Sequence, residues 1–309
     1  SEWTASLPAD VVATVGGQVG VTEFGYRNMF EGAYIGQRGT HVRAFDPKFL
    51  PRASLLKRFS DAVSAYASVG TGYTPPSLTN IVNSDGTVNE SLKPERAIQY
   101  EVGSKGVLFG DRLTYSLALF DLDIRDKLVS QTQNSVTSTV NVGEQRNRGV
   151  ELGASALVLD DSEAPITLVR PWMSWTYSDF TYVSFKSDNT NNAGTVDFSG
   201  RQAARSPKHV MNAGLDVTAR CGGYLFASYQ HVDREFFTFD EQHWLPPYRL
   251  VGAKLGWRHA VAKRLALDAS AGGDNLTGSH YYRYVFIGPS YARLAQPKDG
   301  GTGDGYVIP

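Results

Sequence analysis

The sequence predicts an all-β fold, specifically an antiparallel up-and-down transmembrane β-barrel. Apolar and polar side chains alternate with a period of two along almost the whole chain, as they do without a break from Met211 to Arg220. A strand sends successive side chains to opposite faces, so each such segment has one apolar and one polar face. The connections between the segments also alternate, short at one end and long at the other.

About eleven segments read as strands by this alternation, near residues 10–25, 49–60, 62–74, 94–108, 111–128, 138–158, 166–184, 206–220, 222–236, 248–259 and 263–275. Short polar turns lie at 60–61, 110–111, 160–162, 221–223 and 260–263, and long irregular stretches at 27–48, 75–92, 185–205, 237–247 and 277–309. A meander with this asymmetry is typical of an outer-membrane barrel. A soluble sandwich also alternates, but its connections have no reason to sort by length.

Composition neither requires nor excludes a membrane. The hydrophobic content of 41% and the mean hydropathy of -0.27 resemble those of soluble proteins, and no apolar run approaches the roughly 20 residues of a spanning helix. A membrane strand needs only about ten residues, of which every second one is apolar. We expect Trp175, Tyr177, Tyr224 and Trp257 in the interfacial girdle or on the lipid face. The net charge of -1 disfavours a general nucleic-acid binder.

The pattern of segment 111–128 predicts where this strand of the barrel leaves the bilayer. Its apolar side chains are odd-numbered from Leu113 to Leu119 and even-numbered from Phe120 onward, where Asp121, Asp123 and Arg125 fill the other face. Charges on a lipid-facing surface are unfavourable, so this upper part is predicted to stand in water, after a bulge that shifts the phase. An alternative is a calcium site formed by the aspartates, although a solvated strand face is favoured.

Motifs for catalysis are missing from the sequence. There is no G-x-S-x-G elbow, no H-E-x-x-H helix and no Walker-type loop, and the six histidines lack metal-ligand spacing. We therefore predict that the chain is not an enzyme and has neither catalytic residues, nor a resident cofactor, nor a metal site.

Five local motifs resemble those of the barrel half of the TonB-dependent outer-membrane receptors. They are YASVGTGYTPP at 66–76, LKPER at 92–96 followed by YEVG at 100–103, LFDLDIRD at 119–126, NVGE at 141–144 with RGVEL at 148–152, and DNL at 274–276 with YY at 281–282. Each is weak alone, but together they stand in the family's order and at similar spacing.

The resemblance implies a roughly 22-stranded barrel with a plug domain inside it. Residues 1–309 would form about eleven strands of that barrel, without the N-terminal plug and without the final strand, and so would not insert and transport alone. The implied location is the bacterial outer membrane, with outer-membrane lipid as one partner. The implied function is active uptake of a ferric siderophore or related iron chelate, coupled through the plug to the inner-membrane TonB complex.

Candidate ligand contacts follow from this resemblance. Iron chelates are commonly anionic and partly aromatic, so basic and aromatic side chains in the long loops suit them. The candidates are Arg38, His41, Arg43, Arg201, Arg205, Arg234, Trp244, Tyr282 and Arg283. The alternative for any aromatic near a strand top is the membrane girdle.

Other functions remain open from the sequence alone. TonB-dependent uptake of cobalamin, another metal chelate or a glycan fits the same motifs. A passive porin-like channel would need charged rings in its lumen and no plug. A soluble carbohydrate-binding sandwich would bury Leu215 and Val217 in a dry core, and an enzymatic barrel lacks the motifs named above.

Overall fold

The computed structural model describes residues 1–28, 39–83, 87–133, 136–141, 143–189, 194–282, 284–286 and 306–308. Its elements are β1 (Glu2–Leu7), β2 (Val11–Asn28), β3 (Gly39–Arg58), β4 (Val63–Thr74), α1 (Leu78–Ile81), β5 (Glu95–Leu108), β6 (Leu113–Arg125), β7 (Leu128–Gln133), β8 (Val136–Asn141), β9 (Glu144–Ala156), β10 (Leu159–Asp160), β11 (Ile166–Ser184), β12 (Lys186–Asn189), β13 (Gly194–Asp197), β14 (His209–Ala219), β15 (Gly223–Val232), β16 (Glu235–Phe236), β17 (Trp244–Leu245), β18 (Tyr248–Ala262), β19 (Leu265–Gly273), β20 (Tyr284–Phe286) and β21 (Tyr306–Ile308). Within these ranges, no helix is long and apolar enough to cross a membrane.

One antiparallel meander forms the wall. Its strands follow one another in the order β1-β2-β3-β4-β5-β6-β9-β11-β14-β15-β18-β19, and the short β10 pairs with β11. Each of the eleven predicted segments overlaps one of these strands, which confirms the predicted all-β antiparallel class. The irregular stretch predicted at 27–48 was wrong from residue 39 onward, because β3 already begins at Gly39 beside β2. The strand β1 was not predicted. It is only six residues long and precedes the first clear turn.

The predicted asymmetry of the connections is also present. Adjacent wall strands are joined at one end by short links, such as 109–112 and 220–222, and at the other end by long ones. The short links use left-handed backbone, with φ of 64° at Gly110, 67° at Asp111 and 91° at Gly222. The long links carry the two-stranded hairpins β7–β8, β12–β13 and β16–β17.

Register places the polar side chains on one face of the wall. Ser54 lies opposite Ser68, Ser68 opposite Glu101, and Ser174 opposite Asn212, so these side chains share a face. Hydrogen bonds join members of this polar face to one another: Tyr66 Oη–H to Glu101 Oε1 at 2.6 Å, Arg170 Nε–H to Asp216 Oδ2 at 3.0 Å, Gln230 Nε2–H to Asn212 Oδ1 at 3.0 Å, and Tyr224 Oη–H to Asp268 Oδ1 at 2.8 Å. In a membrane barrel, this is the face that lines the lumen.

The opposite face is apolar and exposed. Large side chains such as Val19, Phe49, Val102, Leu119 and Leu255 are between 46% and 67% exposed, which in water would favour aggregation. Lipid is the solvent that suits such a face.

Three of the four aromatic residues predicted for the girdle or the lipid face lie on the apolar face of the wall. Trp175 and Tyr177 lie on the apolar face near the long-link end, where both rings stack or tilt against His209. Trp257 lies on the same face near the short-link end, because it pairs with Gly223 and Ala269. The prediction for Tyr224 was wrong. Its ring lies on the polar face because its register places it there, and its hydroxyl is held by Asp268.

The bulge predicted in segment 111–128 is absent. Pairing of β6 with β5 and with β9 is continuous from Leu113 to Arg125. The apolar face itself becomes charged at Asp121, while Phe120 and Leu122 turn to the inner face. Arg146 donates to Asp121 through Nε at 2.9 Å and approaches Asp123 at 3.5 Å. These aspartates are therefore engaged by arginine, and no cluster of His, Cys, Asp or Glu able to hold a metal occurs in the part of the chain that is described.

Candidate ligand-binding site

The long links above β11, β14, β15 and β18 pack into one structured layer. Its core is aromatic: the fully buried Phe185 contacts Tyr182, Phe198 and Phe239 at centroid distances of 4.9 to 5.1 Å. Backbone hydrogen bonds tie the segments together, among them Arg205 N–H to the Phe236 carbonyl at 2.7 Å. These contacts connect the long links to one another beneath their exposed side chains.

Arg234 is an exposed cation of this layer. It stands at the start of the β16–β17 hairpin, with its guanidinium carbon 5.5 Å from the Phe236 ring centroid and 5.9 Å from the Trp244 ring centroid. The Trp244 side chain is 50% exposed. A cation held against aromatic rings presents charge and a stacking surface together, which is the combination that an anionic aromatic ligand needs.

A small cavity of about 100 Å³ opens beside the hairpin. Tyr282, Tyr248 and Asp233 line it together with Glu235, Val232, Leu245 and Pro246. Burial raises the pKa of the Glu235 carboxyl, and the charge of Arg205 partly opposes this effect.

This raised pKa gives a prediction for the hairpin. The ordinary value is 4.5, so the folded hairpin binds more protons than the open form as pH rises from 4.5 to the folded pKa, and its stability falls across that window. We expect hydrogen-exchange protection of the Phe236 and Trp244 amides, corrected for intrinsic rates, to decrease over this range in the full-length protein. Glu235→Gln should abolish the decrease. A pH dependence that persists in Glu235→Gln would assign it to another group.

Five predicted ligand contacts meet in or beside this layer: Arg201, Arg205, Arg234, Trp244 and Tyr282. Arg234, Trp244, Arg205 and Tyr282 are exposed. Arg201 is half-buried and donates to the Asp240 carbonyl, so it positions the loop.

Arg43 is elsewhere. It donates to the carbonyls of Asn89 at 3.2 Å and Leu92 at 2.5 Å and lies over Phe45, so it holds the link between β4 and β5. The backbone of His41 in β3 pairs with Tyr26 of β2. The His41 side chain, Arg38 and Arg283 lie outside the described residues.

Sequence reasoning missed Asp233, Glu235 and Tyr248. The predicted strand 222–236 ran through both acids, whereas β15 ends at Val232 and the chain turns into a separate hairpin. The available signal was the pair of carboxylates flanking Arg234, which breaks the alternation.

An antiparallel meander with one apolar exposed face, one polar face and structured long links is the architecture of a β-barrel wall. Residues 10–276 match the family described as TonB dependent receptor-like, beta-barrel. The chain belongs to this family, whose members are outer-membrane transport receptors.

Individual relatives agree with this assignment. The chain is 33% identical over 109 residues to a ferrioxamine receptor of Yersinia enterocolitica, covering 35% of this chain and 14% of that protein. Its fold resembles the siderophore receptor PiuA from Acinetobacter baumannii (TM-score 0.69, 19% identity, 89% of this chain and 38% of that one). It also resembles the copper transporter OprC (TM-score 0.67, 16% identity, 91% and 41%). The chain thus spans less than half the length of each.

Proposed function

We propose that this chain is part of the wall of an outer-membrane receptor for active, TonB-coupled uptake of a ferric siderophore or related iron chelate. The family match over residues 10–276 is the observation that carries the proposal. The exposed Arg234 beside Trp244 and Phe236 supports an anionic, partly aromatic ligand.

In this mechanism, the loop layer captures the chelate by charge and stacking. The polar face of the wall then offers a wet path, because its hydrogen-bonding groups replace bulk water around a polar solute. A plug domain and the inner-membrane TonB complex would open that path. Binding and gated transport are the whole activity, and no bond of the chelate is broken.

Arg234→Ala should weaken binding of an anionic ferric catecholate by the full-length receptor about tenfold, because a charge-assisted contact of roughly 1.4 kcal/mol is lost. Trp244→Ala should have an effect of similar size through lost stacking. The measurement is equilibrium binding to the detergent-solubilised receptor, followed by uptake of radioactive iron in cells.

Arg112→Ala is the matched control, because Arg112 is equally exposed but lies in the short link between β5 and β6 at the opposite end of the wall. Its affinity should equal that of the wild type. If all three variants bind alike, the site lies elsewhere. If the receptor binds cobalamin, a copper chelate or a glycan and no ferric chelate, the substrate class proposed here is wrong.

A further inference from the structure

The wall has a slot between the upper halves of β3 and β4. The two strands pair only from Arg52 opposite Gly70 down to Arg58 opposite Ser64, although β3 continues upward beside β2 to Gly39. The separation begins at Pro51, which has no N–H to donate and whose carbonyl accepts a hydrogen bond from the Thr71 hydroxyl at 3.0 Å. Above this point, the strands stand apart.

The slot encloses about 450 Å³. A Cβ at Gly20 would lie 3.9 Å from Tyr73 Cδ1, so the Tyr73 ring reaches across the slot toward β2. The residues that matter for its chemistry are Lys48, Phe49, Tyr73, Arg96, Tyr100 and Arg125. This is space for a molecule much larger than the few waters that a packing defect would hold.

The lining of the slot is ordered along the membrane normal. Tyr100 and Ile98 on β5 belong to the exposed apolar face, at 53% and 42% exposure, and Phe49 of β3 lines the same slot above the last β3–β4 pair, Arg52 with Gly70. Arg96 lies higher on β5, about 13 Å above Tyr100 at about 3.3 Å per residue, directly opposite Arg125 of β6. Along β5, the lining thus changes from apolar at Tyr100 and Ile98 to basic at Arg96, while Asp123 of β6 lies opposite Ile98.

Its charge is unbalanced in favour of anions. Lys48, Arg96 and Arg125 line it with a single carboxylate, Asp123, which is already 3.5 Å from Arg146 Nε. The ion pairs that these two arginines make among the described residues are long, 3.7 Å from Arg96 to Asp126 and 3.6 Å from Arg125 to Glu144, and the arginine side chains are 57% and 70% exposed. Their guanidinium groups therefore keep donors for a phosphate, which arginine recognises through two parallel hydrogen bonds.

Tyr73 adds a polar group to the slot wall. Its hydroxyl is buried and has no hydrogen-bond partner among the residues that the structure describes. A buried hydroxyl without a partner is unfavourable, and an ester or phosphate oxygen of a bound molecule would accept its hydrogen bond.

We propose that this slot binds one phosphate-bearing lipid of the outer leaflet, with its phosphate between Arg96 and Arg125 and an acyl chain along Phe49, Ile98 and Tyr100. In the membrane, the phosphate of such a lipid already faces the outer water and its acyl chains face the bilayer interior. Arg96 and the apolar pair Ile98 and Tyr100 follow one another along β5 in the same order. The inference rests on the outer-membrane location proposed above.

The test uses the full-length receptor in phosphatidylcholine nanodiscs that contain lipid A, with bound lipid counted by native mass spectrometry. The double variant Arg96→Gln/Arg125→Gln should retain at least fivefold less lipid A than the wild type. Arg96→Lys/Arg125→Lys, which keeps the charge, should retain most of it. The matched control is Arg58→Gln/Arg112→Gln, which removes two exposed arginines at the short-link end and should bind as the wild type does.

Dephosphorylated lipid A should bind the wild type as weakly as lipid A binds the glutamine variant. Equal retention by wild type and glutamine variant, or equal binding of the dephosphorylated lipid, would overturn the proposal. Heat-modifiable mobility of each variant reports insertion, and ferric-chelate binding is measured in parallel. A receptor that inserts and binds no chelate refutes the proposed substrate, whereas one that binds chelate but no lipid A refutes the slot.

Discussion

Leu117→Arg in the full-length receptor should lower the free energy of unfolding from lipid vesicles by about 2–4 kcal/mol, the range for a basic residue near the middle of the bilayer. Leu117 lies on the apolar face of β6, between Leu113 at the short link and Asp121, where the face becomes charged. Guanidinium titration of the refolded receptor measures the change, provided that folding and unfolding curves coincide.

Ser116→Arg provides the control for this substitution, because Ser116 is the preceding residue of the same strand and faces the polar side. The same charge should lower stability there by less than about 1 kcal/mol, since water or polar groups surround it. Equal losses in the two variants would mean that the faces have been assigned the wrong way or that the sheet does not meet lipid.

Gly143→Ala should be the most disruptive change in the loop layer. Gly143 has a φ of 43°, and a Cβ there would overlap the carbonyl oxygen of Ser184. The left-handed backbone and the overlap together should destabilise the junction of β9 with β11 locally by about 2–4 kcal/mol. The buried Tyr182 and Phe185 flank Ser184 at this junction, so hydrogen-exchange protection of the Tyr182 amide should fall with it.

Gly70→Ala separates this steric effect from the general loss of a glycine. A Cβ at Gly70 would have no neighbour within 4 Å, and this strand residue is not among those with positive φ. It should therefore leave exchange at Tyr182 unchanged. Preserved protection in Gly143→Ala would show that the two strands are not in close contact at this point.

The wall was predictable from sequence because its determinants are local. The two-residue period assigns each side chain to a face, and turn length separates the two ends, so the strand segments and the polar and apolar faces of Leu215 and Asp216 followed directly. Tyr224 was assigned wrongly because an aromatic ring suits both faces, and only cross-strand register decides between them. Glu2–Leu7 is too short for its alternation to be distinctive.

The candidate site was less predictable because it depends on contacts between distant links. Arg201 and Arg43 read as available cations in the sequence, yet both donate to loop carbonyls that no local pattern identifies. The slot could not be seen at all. It arises because the upper half of β3 pairs with β2 but not with β4. A strand shows the same alternation of side chains whether one or both of its edges are paired.

The continuous register of β6 has a consequence for the membrane itself. Apolar side chains on the outer face end at Leu119 on β6, whereas on the neighbouring β5 they continue past Val102, its partner, to Ile98. That is four residues, or about 13 Å of strand. The hydrophobic rim is therefore not level, and a flat bilayer would be mismatched on one side of this step. We expect the lipids that contact this sector of the wall to be mismatched with β5 or with β6, because one lipid cannot match both apolar boundaries.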